Sequence, residues 1–312
     1  MKNLICIPFA YEDNRQSGVN LHSSDKLNIY LKNACVALIS AKKNNEEDDV
    51  MLATNLSCEQ IPQTYLEILH KNGVIIKTLP FDLFNFSNNY LWSLAYYKLC
   101  VLSHIVNMGY ENVSYMDTDV YIQGNFKNIW EECEQNILLY DICHGLGTRD
   151  YKIICDEMTN FVGEQKMLCT HYGGEFFAAN TRKAQEFIVI AKGIYDKMIA
   201  RDFVTTKGDE FIISLTANQM KQSVKNAGAY IFRFWTGATF RLVSTCYEHN
   251  AVTVLHMPSE KERGMLRIYS FYTTKGMLPD KKKVWKICRL KRKSMIELIA
   301  IAVKSILKNV EK

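Results

Sequence analysis

Apolar runs and amphipathic stretches alternate along the first third of the chain. Leu4–Phe9 is an almost unbroken apolar run of the length of a buried strand, and Leu27–Ser40 places its apolar residues near helical spacing. The charged segment Lys42–Asp49 reads as a surface turn ahead of a second short strand, Val50–Ala53. Ile61–His70 predicts a helix that stops at Asn72-Gly73, a pair suited to a helix C-cap, and Val74–Thr78 predicts a third strand. Tyr90–Met108 predicts one long helix, capped by Gly109, before a fourth strand, Val113–Met116. Strands alternating with helices in this way predict an α/β protein with a mainly parallel central sheet flanked by helices. The second half is less regular. His171–Phe177 and Lys207–Ile213 predict two glycine-marked turns, the latter opening a helix, and Val252–Leu255 predicts a further strand.

The fourth strand runs straight into Asp117-Thr118-Asp119, and Val120 and Tyr121 follow at once. A core strand does not carry two charges to its end without a partner for them. Two carboxylates so placed can converge on one hard divalent cation, Mg²⁺ or Mn²⁺, which in turn holds a diphosphate. In parallel sheets ligands bind beyond the C-terminal ends of the strands, where these aspartates lie.

Composition narrows the class. A chain of 312 residues, 48% hydrophobic and 12% aromatic, suits one large α/β domain with an appendage, and five prolines and fifteen glycines argue against long disordered stretches. Ten cysteines contain no C-x-x-C pair, which predicts reduced core residues of a cytoplasmic protein. The run in Met1–Ala10 is too short for a signal peptide, and no segment reaches the length of a membrane-spanning helix. The net charge of +5 is uneven, because residues 281–312 hold eleven Lys or Arg against two Glu. Lys281–Lys293 packs eight basic residues into thirteen, interleaved with Val284, Trp285, Ile287, Cys288 and Leu290, and Met295–Val310 continues with apolar residues at helical intervals. That pattern predicts an amphipathic tail lying on an anionic membrane surface, at about 1 kcal/mol per basic side chain. Nucleic acid is the competing partner for such a run, but no recognition module accompanies it and the acidic body would repel phosphate backbones. The chain therefore divides into 1–275 and a basic tail, 281–312, with a location on the inner face of the cell membrane.

These pieces, in this order, resemble the GT-A fold of sugar-nucleotide glycosyltransferases, which carry an Asp-x-Asp metal motif after a central strand. The resemblance covers roughly Met1–Tyr272. It is strongest to the retaining families eight and six, whose bacterial members build surface glycans, so it implies an enzyme of lipopolysaccharide or capsule assembly. Family eight has a histidine metal ligand about 140 residues after the Asp-x-Asp, with a lysine soon after; here His256 stands 137 positions after Asp119, and Lys261 follows. The family's glycine between the two is missing, since Met257-Pro258-Ser259-Glu260 fills the gap. Family six has a Phe-Ala turn that touches the base, as in Phe9-Ala10-Tyr11, paired glycines, as in Gly173-Gly174, and an Asp-Glu pair opening a helix below the sugar, as in Asp209-Glu210. Both have a basic residue in the helix before the metal strand, which Lys98 matches.

The resemblance implies Mn²⁺ or Mg²⁺ on Asp119 and His256, with Asp117 on the metal or the ribose, and a nucleotide-sugar donor, with UDP as its nucleotide. Lys98, Lys261 and Arg263 are candidate phosphate partners. Glu210 is placed beside the anomeric carbon, as electrostatic stabiliser or nucleophile in a retaining reaction; Asp209 or Glu210 would be the base in an inverting one. Glu175 is a second catalytic carboxylate candidate. Trp92 and Trp235 are expected in the core, while His171 and Tyr172 are left open. Two other readings remain: a haloacid-dehalogenase-like phosphatase or phosphotransferase with Asp117 as nucleophile, and a non-catalytic membrane adaptor.

Overall fold

The structure is a computed structural model, and it describes residues 2–12, 25–87, 90, 92–143, 149–163, 169–236, 248–290, 295–296, 299–300 and 303. Strand β1 (Leu4–Phe9) is buried along its whole length. Leu4 and Cys6 face one apolar core while Ile5, Ile7 and Phe9 face another, which is why its apolar run is continuous rather than alternating. It pairs in parallel with β2 (Asp49–Thr54) on one side and β4 (Asn112–Met116) on the other, and β3 (Ile75–Thr78) extends the sheet beyond β2. The remaining strands are β6 (Ile137–Asp141), β7 (Tyr172–Asn180) and β8 (Val224–Asn226), giving the order β3-β2-β1-β4-β7-β6-β8. Only β7 runs against its neighbours, antiparallel to both β4 and β6.

Helices α1 (Lys26–Asn44) and α2 (Gln63–Lys71) pack on one face. The other face is covered by α3 (Tyr97–Ile105), α5 (Arg149–Val162), α6 (Thr181–Ala200) and α7 (Asp209–Gln219). A short helix, α4 (Lys127–Cys133), leads into β6. A second sheet has the order β5-β10-β9, with β5 (Val120–Ile122) antiparallel and β9 (Ile231–Arg233) parallel to β10 (Val254–His256). Helices α8 (Glu248–Ala251), α9 (Gly264–Lys275) and α10 (Lys281–Ile287) complete the described chain.

Two sequence expectations change. The long helix over Tyr90–Met108 is broken: Trp92 adopts a left-handed backbone, Ser93–Tyr96 forms a 3₁₀ turn, and only Tyr97–Ile105 is α-helical. Aromatic packing wins over helical continuity here, with Phe86 against Tyr90 and Tyr96 at ring separations of 4.3 and 4.4 Å. Trp92 also presses on Gly208 (φ +58°), where an added Cβ would lie 2.9 Å from the tryptophan Cβ. The second change is at Gly173-Gly174, which form no turn. They belong to β7 and have no positive φ, so they serve close approach of other side chains rather than a chain reversal.

The start of the basic tail packs on the body. Val284, Cys288 and Leu290 are buried in the core beneath α9. Trp285, expected at a membrane interface, is partly buried: its indole N–H donates to Gln123 Oε1 at 2.9 Å and its ring lies edge-on to His249. Among the described residues no helix is long and apolar enough to cross a membrane.

Candidate active site

The two sheets meet where β4 ends and β5 begins, and backbone pairing brings three strand ends together there. Asp117 N–H donates to Glu175 O of β7 at 3.2 Å, and Met257 N–H donates to Asp119 O at 3.0 Å. In the small sheet His256 stands in register with Val120 on one side and Arg233 on the other. Asp117, Asp119, Glu175, Arg233 and His256 thus converge through main-chain hydrogen bonds before any side chain is considered. They line a cavity of about 500 Å³, together with Phe9, Ala10 and Tyr30 on one wall and Trp92, Lys98, Lys207, Asp209 and Glu210 on another.

Ligand atoms of Asp117, Asp119 and His256 lie within 4.8 Å of one another. His256 Nε2 is 3.4 Å from Asp119 Oδ2 and 3.7 Å from Asp117 Oδ2. Asp119 Oδ2 is buried and accepts no hydrogen bond. A buried carboxylate oxygen with no well-formed hydrogen bond, beside a second carboxylate and an imidazole, fits a divalent cation such as Mn²⁺ or Mg²⁺. Lys261 Nζ lies 3.3 Å from the same Asp119 oxygen and 5.7 Å from the centre of the Tyr30 ring.

Next to this cluster stand two further charged groups. Lys98 is buried and lies 3.0 Å from both Asp117 and Asp209, so it ties the end of β4 to the start of α7. Arg233 grips both oxygens of Glu175 at 2.6 Å and reaches Glu210 Oε1 at 3.1 Å. His171 Nε2 bonds Glu210 Oε2 at 2.9 Å. The glycine pair makes this packing possible. A Cβ at Gly173 would overlap Glu175 and crowd Arg233, and one at Gly174 would overlap Asp209 and crowd Lys98.

Burial and pairing compete at each group. Burial opposes the charged form of Asp119, but Lys261 and His256 hold its carboxyl well below the usual range. Glu175 behaves likewise, with Arg233 and His256 outweighing burial. Burial also opposes charge on His256, yet Asp119 and Glu175 lift it to about 9. Asp209 goes the other way: burial, helped by Glu210 and Asp117 and opposed by Lys98, raises it to about 6.

Of the residues singled out in the sequence, Phe9, Ala10, Lys98, Asp117, Asp119, Glu175, Asp209, Glu210, His256 and Lys261 line this cavity. Arg263 does not. It is exposed at the start of α9. Tyr11 lies outside the lining as well, and its N–H donates to Asn55 Oδ1. Trp92 and Trp235, expected in the core, line the cavity instead, and Trp235 is 49% exposed. Arg233 and Tyr30 were not singled out. Arg233 sits inside an apolar run that continues past it (Ile231, Phe232, Phe234, Trp235), so nothing in the sequence marked it as a strand end.

No family model and no curated protein matches this sequence. Among solved structures the chain is similar to the crystal structure of mouse xyloside xylosyltransferase 1 in its apo form. The TM-score is 0.51 at 10% identity, over 82% of this chain and 97% of that one. At such identity the likeness concerns the fold. With its mainly parallel sheet flanked by helices, this chain has the fold of the GT-A glycosyltransferases.

Proposed function

We propose that this protein is a metal-dependent glycosyltransferase that moves a sugar from a nucleoside-diphosphate donor, UDP-sugar, to a bacterial surface-glycan acceptor of lipopolysaccharide or capsule, with retention. The observation that carries the reading is the convergence of Asp117, Asp119 and His256 at the strand ends of this fold, in a cavity that also holds Glu210. Bound Mn²⁺ or Mg²⁺ supplies a Lewis acid for the charge that develops on the departing diphosphate. Asp117, Asp119 and His256 hold that ion, and Lys261 offers its ammonium to a phosphoryl oxygen beside it. Phe9, Ala10 and Tyr30 form the wall that receives the nucleoside. Glu210, oriented by Arg233 and His171, faces the sugar and stabilises an oxocarbenium-like centre or bonds to it transiently. The phosphotransferase alternative is disfavoured, because its nucleophile belongs after the first strand and Asp117 follows the fourth.

Calorimetry with UDP, with and without Mn²⁺, tests this function. Micromolar binding that requires the metal and fails in Asp119→Ala and His256→Ala is expected. Absence of binding across a panel of nucleotides would overturn the reading.

The same proposal places the protein on the cytoplasmic face of an anionic membrane, near a lipid-linked acceptor. Met295, Ile296, Ile299 and Val303 are exposed, and they follow the basic run at helical intervals. Cosedimentation with phosphatidylserine vesicles, but not with phosphatidylcholine vesicles, is expected, and Ile296→Asp with Ile299→Asp should abolish it.

A further inference from the structure

A histidine that gives Nε2 to a metal must keep its proton on Nδ1, and that proton needs an acceptor. Nδ1 of His256 lies 3.3 Å from Glu175 Oε1. Glu175 is buried, with none of its side chain reaching solvent, and each of its oxygens is held by Arg233. A carboxylate so enclosed presents no free edge to a sugar. The same guanidinium continues to Glu210 Oε1, and His171 takes the other oxygen of Glu210. One unbroken chain of side chains therefore links the metal ligand to the carboxylate that faces the sugar: His256, Glu175, Arg233, Glu210, His171.

We infer that Glu175 is a positioning residue for the metal ligand rather than a second catalytic carboxylate, and that Arg233 holds it in that role while orienting Glu210. The carboxylate behind His256 fixes the ring with Nε2 toward Asp117 and Asp119 and makes it a better donor. Gly173 supports this independently. It is the position where a side chain would displace Glu175 and Arg233, and β7 carries no Cβ there. The inference rests on the metal-site reading and adds to it the group that orients the third ligand.

The test compares wild type with Glu175→Gln, Arg233→Lys and Glu210→Gln. Mn²⁺ affinity is read from the paramagnetic resonance of free Mn²⁺ with no nucleotide present, and donor turnover is read separately against Mn²⁺ concentration. Glu175→Gln should weaken Mn²⁺ binding by about 10- to 100-fold, as loss of such a supporting group typically does, and turnover should return at saturating metal. Arg233→Lys should weaken it in the same direction by less. Glu210→Gln should bind Mn²⁺ like wild type and lose turnover at every metal concentration. Wild-type Mn²⁺ affinity in Glu175→Gln would overturn the inference, as would a turnover defect that saturating Mn²⁺ does not repair. If Glu175→Gln shows no cooperative thermal transition, Arg233→Lys decides, and unchanged Mn²⁺ affinity there overturns the inference. Because the metal is read without nucleotide, a protein that shows this affinity pattern yet turns over no donor upholds the inference and overturns only the transferase reading.

Discussion

The two ends of the parallel strands carry depressions of comparable size, about 500 Å³ at the C-terminal ends and about 670 Å³ at the N-terminal ends, and both are rich in carboxylates. The carboxylates differ in their surroundings. Around the N-terminal depression Glu46, Glu47, Glu111, Glu131 and Glu134 are exposed and stay hydrated. The buried acid there, Asp48, is satisfied by neutral donors, Trp130 Nε1 and Asn3 Nδ2. At the C-terminal ends Asp119, Glu175 and Asp209 are buried and stand against Lys261, His256, Arg233 and Lys98. Taking a charge out of water costs several kcal/mol, which pairing offsets only in part or just balances, so apolar packing would hold this end together at least as well. A count of acidic residues does not separate the two ends. The burial of opposite charges together does, and it marks the end where the proposed site lies.

The largest effect that would break this contrast is expected from Arg233→Met. It leaves Glu175 and Glu210 without their shared cation, and loss of one partner from a buried ion pair costs about 3–5 kcal/mol. Urea denaturation measures it, and a loss near that of an ordinary surface substitution would show that the cluster does not depend on the guanidinium. Next in size is Asp119→Ala, read in ligand binding. Metal-dependent nucleotide binding should fall below calorimetric detection, because the buried carboxylate shared by the candidate ligand cluster is the one that would be lost.

Arg233 also shows where sequence patterns stop being legible. Most of the parallel half, β1 to β4, could be read from apolar runs and caps, because β1, β2 and β4 are buried nearly along their whole length and each connection is local; β3, though largely exposed, follows a legible helix C-cap at Asn72-Gly73. Asp117 and Asp119 were visible since they close such a run. The other half depends on partners distant in sequence. Gly173-Gly174 resembled a turn because glycine marks both turns and crowded strands, and only the positions of Arg233 and Asp209 tell the two apart. The Tyr90–Met108 helix broke at Trp92 for a similar reason, contact with Gly208. Trp285 likewise read as a membrane residue until Gln123 and His249 proved to be its partners.

A smaller effect sharpens the contrast through pH. Asp209 is held by burial at about 6 against an ordinary value of 3.8, facing Lys98 from α3, Asp117 at the end of β4 and Glu210 beside it. Below that window the carboxyl is neutral in folded and unfolded chains alike. Between the two values the unfolded chain releases its proton first, so stability falls as pH rises through the window and the deficit then persists. Asp209→Asn removes the deficit, while Lys98 keeps Asp117 at 3.0 Å. The melting temperature of the variant relative to wild type should therefore climb by a few degrees between about pH 4 and 7. A difference that stays flat across this range would mean that Asp209 ionises as an exposed aspartate does.

The smallest effect belongs to the other end of the sheet and serves as the control. Glu46→Gln with Glu47→Gln removes two exposed charges that are separated from the cavity by the length of the strands. An exposed carboxylate is already hydrated in both folded and unfolded chains, so stability should change by no more than about 0.5 kcal/mol. Metal-dependent nucleotide binding should not change at all. If these substitutions altered UDP affinity as Asp119→Ala does, carboxylates at both ends would matter to the same ligand, and burial would lose its standing as the mark of the functional end.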